Sequence, residues 1–369
     1  MPDKKPRQLS PLEVKINNFF DTYFHRIPFI QKILFVYHLQ TMTKAGLSIV
    51  NALKVLSEEI ENKKLRLIIG KIKTEVETGR QLSEVLAEYP KVFPEIYVSM
   101  IAAGEAAGTL EDALAQVNNQ MHKSHELTSK IRGAMIYPAV VFTAMMGIAL
   151  EMVIFVLPKI MVMFKDFKAE LPLATRILVG ITDFMGQYGV LVSIGLFFFI
   201  ILVVWLIKKP NIKRIVHRIN LHLPIAGPII KKINLARFTL TLSSLLESAI
   251  PIIEAVKIAA SVQTNVIYRE RLLIVAETLK KGSPLSEILK QSEDLFPPMV
   301  IEMIMVGEQS GEVEKMLKEL AEYYTNEVDS VMKNFSTIIE PVIIVILGLM
   351  VAGIAVAVIM PMYSLAQAF

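Results

Sequence analysis

The chain is written twice. Adding 203 to a residue number in the first half returns the same residue type in the second, at many positions and without a gap. Phe35 returns as Phe238, Gly79 as Gly282, and Leu82-Ser83-Glu84 as Leu285-Ser286-Glu287. Phe93-Pro94, Gly104-Glu105 and Gly108 return as Phe296-Pro297, Gly307-Glu308 and Gly311. Leu114, Pro138 and Pro158 return as Leu317, Pro341 and Pro361. A gapless repeat of this length means that one structural unit is used two times. Each copy is a polar, helix-patterned region that runs into a long apolar stretch, the order expected of an aqueous module leading into a membrane helix.

Composition agrees with that reading. A mean hydropathy of +0.49 is high for an ordinary soluble protein, while 20% charged residues is high for a compact bundle of membrane helices. A membrane protein with large aqueous modules satisfies both. Cysteine is absent, which excludes disulfides, thiolate metal sites and a thiol nucleophile. The first ten residues are polar and basic with no apolar core behind them, so the amino end is expected on the side of synthesis.

Crossing a bilayer takes about 20 apolar helical residues. Three stretches qualify: 138–157, 189–207 and 341–360, of which only the first holds a charge, Glu151. The second span is followed by Lys208, Lys209, Lys213, Arg214, Arg218, Lys231 and Lys232 with no acidic residue among them, which assigns that flank to the cytoplasm. Residues 159–188 carry nearly balanced charge and suit the outer face. Both copies then face the cytoplasm and end in an outward-going span, so the repeats are parallel rather than inverted.

The modules read as helices. Leu110, Leu114, Val117 and Met121 follow one helical face, as do Val313, Leu317, Leu320 and Tyr324. Glu111, Gln116, Asn119 and Gln120 are expected on the opposite, polar face. Gly46 sits at a left-handed helix stop, with Ser48 as the next cap and Pro251 as its counterpart. Gly79 and Gly282 end a helix, Ser83 and Ser286 begin a short one, and Pro94 and Pro297 open a fifth. Gly108 and Gly311 end that one, and a sixth runs on from Thr109. Between Thr109 and Pro138 this helix is roughly 45 Å long at about 1.5 Å per residue. Pro138 and Pro341 are expected to kink it at the water boundary, making each module and its span a bent rod.

The ordered set Ala45-Gly46-Leu47, Gly79-x-x-Leu82-Ser83, Phe93-Pro94 and Gly104-Glu105-x-x-Gly108, with a span after each copy, resembles the type II secretion system F domain family. Leu171-Pro172-x-x-Thr175-Arg176 is similar to that family's connecting loop. Each motif alone is weak; the series, with its last three members met again in order in the second copy, is specific. The resemblance implies an all-α membrane protein with two tandem cytoplasmic six-helix modules, three transmembrane helices and no enzymatic activity or cofactor. It implies a platform in the bacterial inner membrane, amino terminus cytoplasmic, that couples a cytoplasmic pilus or secretion ATPase to pilins in type IV pilus biogenesis. The alternative is a type II secretion platform acting on pseudopilins. Other inner-membrane assembly proteins, the lipid bilayer and further copies of the chain are the remaining expected partners; nucleic acid is not. The expected layout is an extension over 1–34, a first module over 35–137, a span over 138–157 and an outer loop over 158–188. A span over 189–207, a basic linker over 208–237, a second module over 238–340, a span over 341–360 and a tail over 361–369 complete it.

Candidate sites carry bland readings beside sharper ones. Gly104-Glu105 and Gly307-Glu308 lack the Gly-Lys-Ser/Thr of a phosphate loop. They fit a tight turn whose glutamate pairs with a cation or a helix amino terminus, or else a partner surface. Glu151, an ionisable group within a span, fits outer-face hydration or protonation, pairing inside an assembly, or a proton path. His122 and His125 have metal-pair spacing but no counterpart in the second copy, where Thr325 and Val328 stand; a solvated face explains them. His217 and His222 lie in the basic stretch, where anionic lipid contact is expected before chemistry. Two rivals remain. A parallel-repeat transporter needs polar residues in several spans, and a membrane enzyme needs a convergent His, Asp, Glu or Ser cluster.

Overall fold

The computed structural model describes residues 27–151, positions scattered between 180 and 199, and residues 201–367. The outer loop expected over 158–188, the end of the first span and most of the second fall outside this set or at its scattered positions.

The described residues are helical. In the first copy α1 is Phe29–Lys44, α2 Ile49–Glu59, α3 Lys63–Glu77, α4 Leu82–Ala87, α5 Glu95–Ala107 and α6 Leu110–Glu151. Then come α7 Pro210–His222 and α8 Ala226–Glu247. The rest of the second copy is α9 Ile252–Ser261, α10 Val266–Leu279, α11 Leu285–Lys290, α12 Pro298–Ser310 and α13 Val313–Gln367. From α2 to α6 every helix start recurs 203 residues later.

The chain divides into two units. One holds the residues up to Glu126 together with Asn234–Tyr324, and the other holds Leu127–Ile233 with Thr325–Phe369. Most of each expected module thus lies in the first unit, and its last stretch, 127–137 or 325–340, in the second. Apolar residues at helical spacing build the first module's core: Phe35 and Leu39 from α1, Leu53 and Leu56 from α2, Ile69 from α3, and Leu114 and Val117 from α6 are all buried. Phe35 and Phe93 rings lie 5.7 Å apart, and their counterparts Phe238 and Phe296 lie 5.6 Å apart. The second core adds Tyr268 where the first has Leu65; its hydroxyl donates to the Leu295 carbonyl, which satisfies a buried polar group.

Three boundaries differ from the sequence reading. The first helix begins at Phe29, inside the expected extension. The linker expected over 208–237 is mostly helical, with Lys209 separating helical residues 201–208 from α7 and 223–225 separating α7 from α8. Ser83 and Ser286 do not cap their helices, which start one residue earlier at Leu82 and Leu285 without a side-chain cap from Gln81 or Pro284.

Among the described residues one stretch of helix, Leu110–Ile148, is long and apolar enough to cross a membrane; the apolar stretch Glu340–Gly353 is shorter.

Candidate functional site

The Gly-Glu-x-x-Gly corner is built the same way in both copies. Gly108 and Gly311 end α5 and α12 with φ of 73° and 75°, a left-handed backbone that glycine adopts without strain. Gly104 and Gly307 are glycine for another reason. A Cβ on Gly104 would stand 2.2 Å from the Ala113 Cβ, and one on Gly307 would stand 2.8 Å from the Val313 Cα. The fifth and sixth helices of each copy therefore meet where only hydrogen fits.

The glutamate supplies what the short helix lacks. Glu105 accepts from the backbone N–H groups of Leu82, at 2.7 Å, and Ser83, at 2.9 Å. Glu308 accepts from Leu285 and Ser286 N–H and from the Ser286 hydroxyl. A carboxylate on two first-turn N–H groups satisfies orphan donors and opposes the positive end of the helix dipole. Of the two pairings open to this glutamate from sequence, the geometry is that of the helix amino terminus.

Gln116 and Gln120 are not on a solvated face. Gln120 is only 2% exposed, and its side-chain oxygen accepts from the Ser244 hydroxyl at 2.8 Å. The Gln116 oxygen accepts from Ser248 at 2.6 Å, and its amide donates to the Glu247 carbonyl. Ser244 and Ser248 belong to α8 or its end, so Gln116 and Gln120 of α6 lie in the seam between the copies, while Glu111 and Asn119 stay exposed. α5 and α9 pack across the same seam. Periodicity had marked the face correctly as polar; nothing local indicated that another helix covers it.

α6 and α13 also meet within the second unit. Lys130 of α6 and Lys333 of α13, which are repeat counterparts, both pair with Asp329, at 3.7 Å and 2.7 Å. Lys232 of α8 pairs with Glu327. The Lys333 hydrogen bond, with the nearby Lys130 charge, holds the Asp329 carboxyl below the usual carboxylate range. In the first core, burial pushes the Tyr97 phenol up to about 12, against an opposing hydrogen bond with Ser124.

Pro138 and Pro341 both lie inside long helices rather than at their ends, α6 and α13. Glu151 is helical and is the last residue of the α6 stretch that the structure describes. His125 stacks on Phe29 with ring centroids 5.7 Å apart, while His122 is exposed. No group of three or more His, Cys, Asp or Glu is placed to hold a metal ion among the described residues. The basic helix α7 is two-sided. Ile215 and Ile219 are exposed on one side, Leu221 is buried on the other, and Lys209 lies 4.2 Å over the Trp205 ring just before it.

Two gapless copies of one helical module, each opening a long helix, define a tandem-repeat all-α protein with a helix able to cross a membrane. The chain belongs to the family of Type II secretion system (T2SS), protein F, which matches residues 35–158 and again 238–361. Among its relatives is the type IV pilus assembly protein TapC of Aeromonas hydrophila, 34% identical over 89% of this chain and 79% of that protein. The type IV pilus assembly protein PilC of Thermus thermophilus is 33% identical over 90% of this chain and 82% of its own length. The type II secretion system protein F of Vibrio cholerae is 35% identical over 89% and 80%.

Proposed function

We propose that the chain is a non-enzymatic platform in a bacterial inner membrane that couples a cytoplasmic assembly ATPase to the insertion and extraction of pilins in type IV pilus biogenesis. The observation that carries this reading is the continuity of α6. Leu114, Val117 and Met121 of this helix are buried in the first module, and the same helix runs on through Pro138 to Glu151. In this reading the continuous helix is the path by which movement imposed on the module is passed toward the apolar end. α13 repeats the arrangement from Val313 through Pro341. In this reading the chain crosses three times, at 138–157, 189–207 and 341–360, with both modules and the amino terminus in the cytoplasm. α7 lies against the anionic inner leaflet with its apolar side inward.

The second reading, a type II secretion platform acting on pseudopilins, is favoured by the relative from Vibrio cholerae, whose identity equals that of the pilus proteins to within a few per cent. Both readings share the motor step. Purified chain in proteoliposomes, mixed with a candidate assembly ATPase, is expected to bind it and raise its turnover. Charge reversals on exposed module positions such as Lys54 and Glu95 are scanned for loss of that effect. A full scan of both modules with binding and turnover unchanged throughout rules the coupling out.

A further inference from the structure

The seam between the two copies is one-sided. The first copy offers α5 and α6; the second offers α8 and α9. By the repeat, the first copy also owns an unused version of the second's surface, on α1 and α2. The second copy owns an unused version of the first's, on α12 and α13.

These spare surfaces are exposed where their counterparts are covered. Leu240 of α8 is 6% exposed, and its counterpart Tyr37 of α1 is 46% exposed. Ser244 is buried and its counterpart Thr41 is exposed. Gln120 is buried, whereas its counterpart Tyr323 of α13 is 42% exposed. Large apolar side chains collect on the same faces: Ile30, Leu34 and Leu47 on the first, Met299 and Val306 on the second. Solvated helix faces seldom gather apolar groups at such a density without a partner.

The residues that differ between used and unused versions are complementary to each other. Within the chain, the Gln116 amide donates to the main-chain carbonyl of Glu247 and its oxygen accepts from the Ser248 hydroxyl. The counterpart of Gln116 is Glu319, and the counterpart of Glu247 is Lys44. The docked arrangement would therefore bring the Glu319 carboxylate to the end of α1, where Lys44 supplies a base. Tyr323 would likewise face Thr41, as Gln120 faces Ser244. α1 carries no acidic residue, and the opening of α13 carries three, Glu314, Glu319 and Glu322, beside two bases, Lys315 and Lys318.

We propose that the α12–α13 face of one copy of this chain docks on the α1–α2 face of another, repeating between chains the contact made once within each. Such a contact is heterologous: it uses two different surfaces and closes only as a ring of copies. In the parallel topology proposed above, a copy added this way enters the bilayer in the same direction; that point alone rests on the earlier reading.

The cysteine-free sequence makes the test direct. Full-length chains carrying Thr41→Cys with one tag and Tyr323→Cys with another are purified in nanodisc-forming lipid, mixed and oxidised. A crosslink is expected in the mixture and not with either variant alone. In the same lipid, Glu319→Lys or Lys44→Glu is expected to shift the assembly to smaller species by mass photometry. A chain carrying both substitutions is expected to return it, which a merely unfolded variant would not do. The proposal is overturned if Thr41→Cys crosslinks to itself, which marks a two-fold contact. It is equally overturned if the unsubstituted chain is a monomer, with the α1 face covered by residues before Pro28 or by lipid.

Discussion

Gly104 and Gly108 stand four residues apart and resist substitution through different physics. At Gly104 an added methyl meets the Ala113 Cβ at 2.2 Å, and neither group has a rotamer that relieves the overlap. Helix propensity would reward alanine there by up to about 1 kcal/mol. Overpacking a close helix contact costs about 1–3 kcal/mol, so the clash is expected to win. Gly104→Ala should lower the melting temperature of the chain in detergent, and Gly104→Ala with Ala113→Gly should recover most of the loss. Ala249 is the opposite case. It occupies the position of Gly46 and holds φ at 57°, the one non-glycine residue with positive φ among those described. Its left-handed backbone costs roughly 1–2 kcal/mol, against roughly 0.5–1 kcal/mol of extra chain entropy that glycine loses on folding. Ala249→Gly should therefore stabilise by about 0.5 kcal/mol or somewhat more, whereas Gly46→Ala should destabilise; thermal melts of the two variants check the sign. The motif glycines were legible because their type is dictated by backbone and contact distance. Ala249 was not, because a residue that tolerates strain leaves no mark in its own identity.

At the scale of elements, the long helices are joined by charge outside the module cores. Asp329 takes Lys333 from its own helix and Lys130 from α6. Its carboxyl is held below the usual range, so its contribution to stability is present above the unfolded-state pKa of about 4 and disappears as pH falls through the folded-state value. Asp329→Asn should lower the melting temperature at neutral pH and converge with the unsubstituted chain in acid. Added salt should shrink the neutral-pH difference, because these side chains are solvent-accessible. A difference that persisted at low pH would mean that packing rather than charge is lost. Helix starts and stops were readable here because glycine, proline and the apolar period act locally. The helical state of the stretch expected as a linker was hidden by its basic charge, which reads as a solvated connector until α7 is seen to place Ile215 and Ile219 on one side.

For the whole molecule, the parallel arrangement of the repeats is the proposal with the widest reach. Single cysteines at Lys54 and Lys257, introduced separately into this cysteine-free chain, should both react with an impermeant maleimide only after cells are opened. A cysteine in the connector, at Asp166, should react in intact spheroplasts. Labelling of Lys54 and Lys257 from opposite sides would remove the common orientation of the modules and with it any shared contact with a cytoplasmic motor. The sequence alone determined that one helical module occurs twice, where its helices break and which faces are apolar. It could do so because backbone conformation and helical periodicity are short-range properties that each copy states in its own residues. Only the tertiary structure decided that Gln116 and Gln120 form a seam and that Glu105 caps a helix more than twenty positions earlier in the chain. The same polar side chain satisfies its hydrogen bonds equally well with water or with a neighbouring helix, so its type cannot say which one it meets.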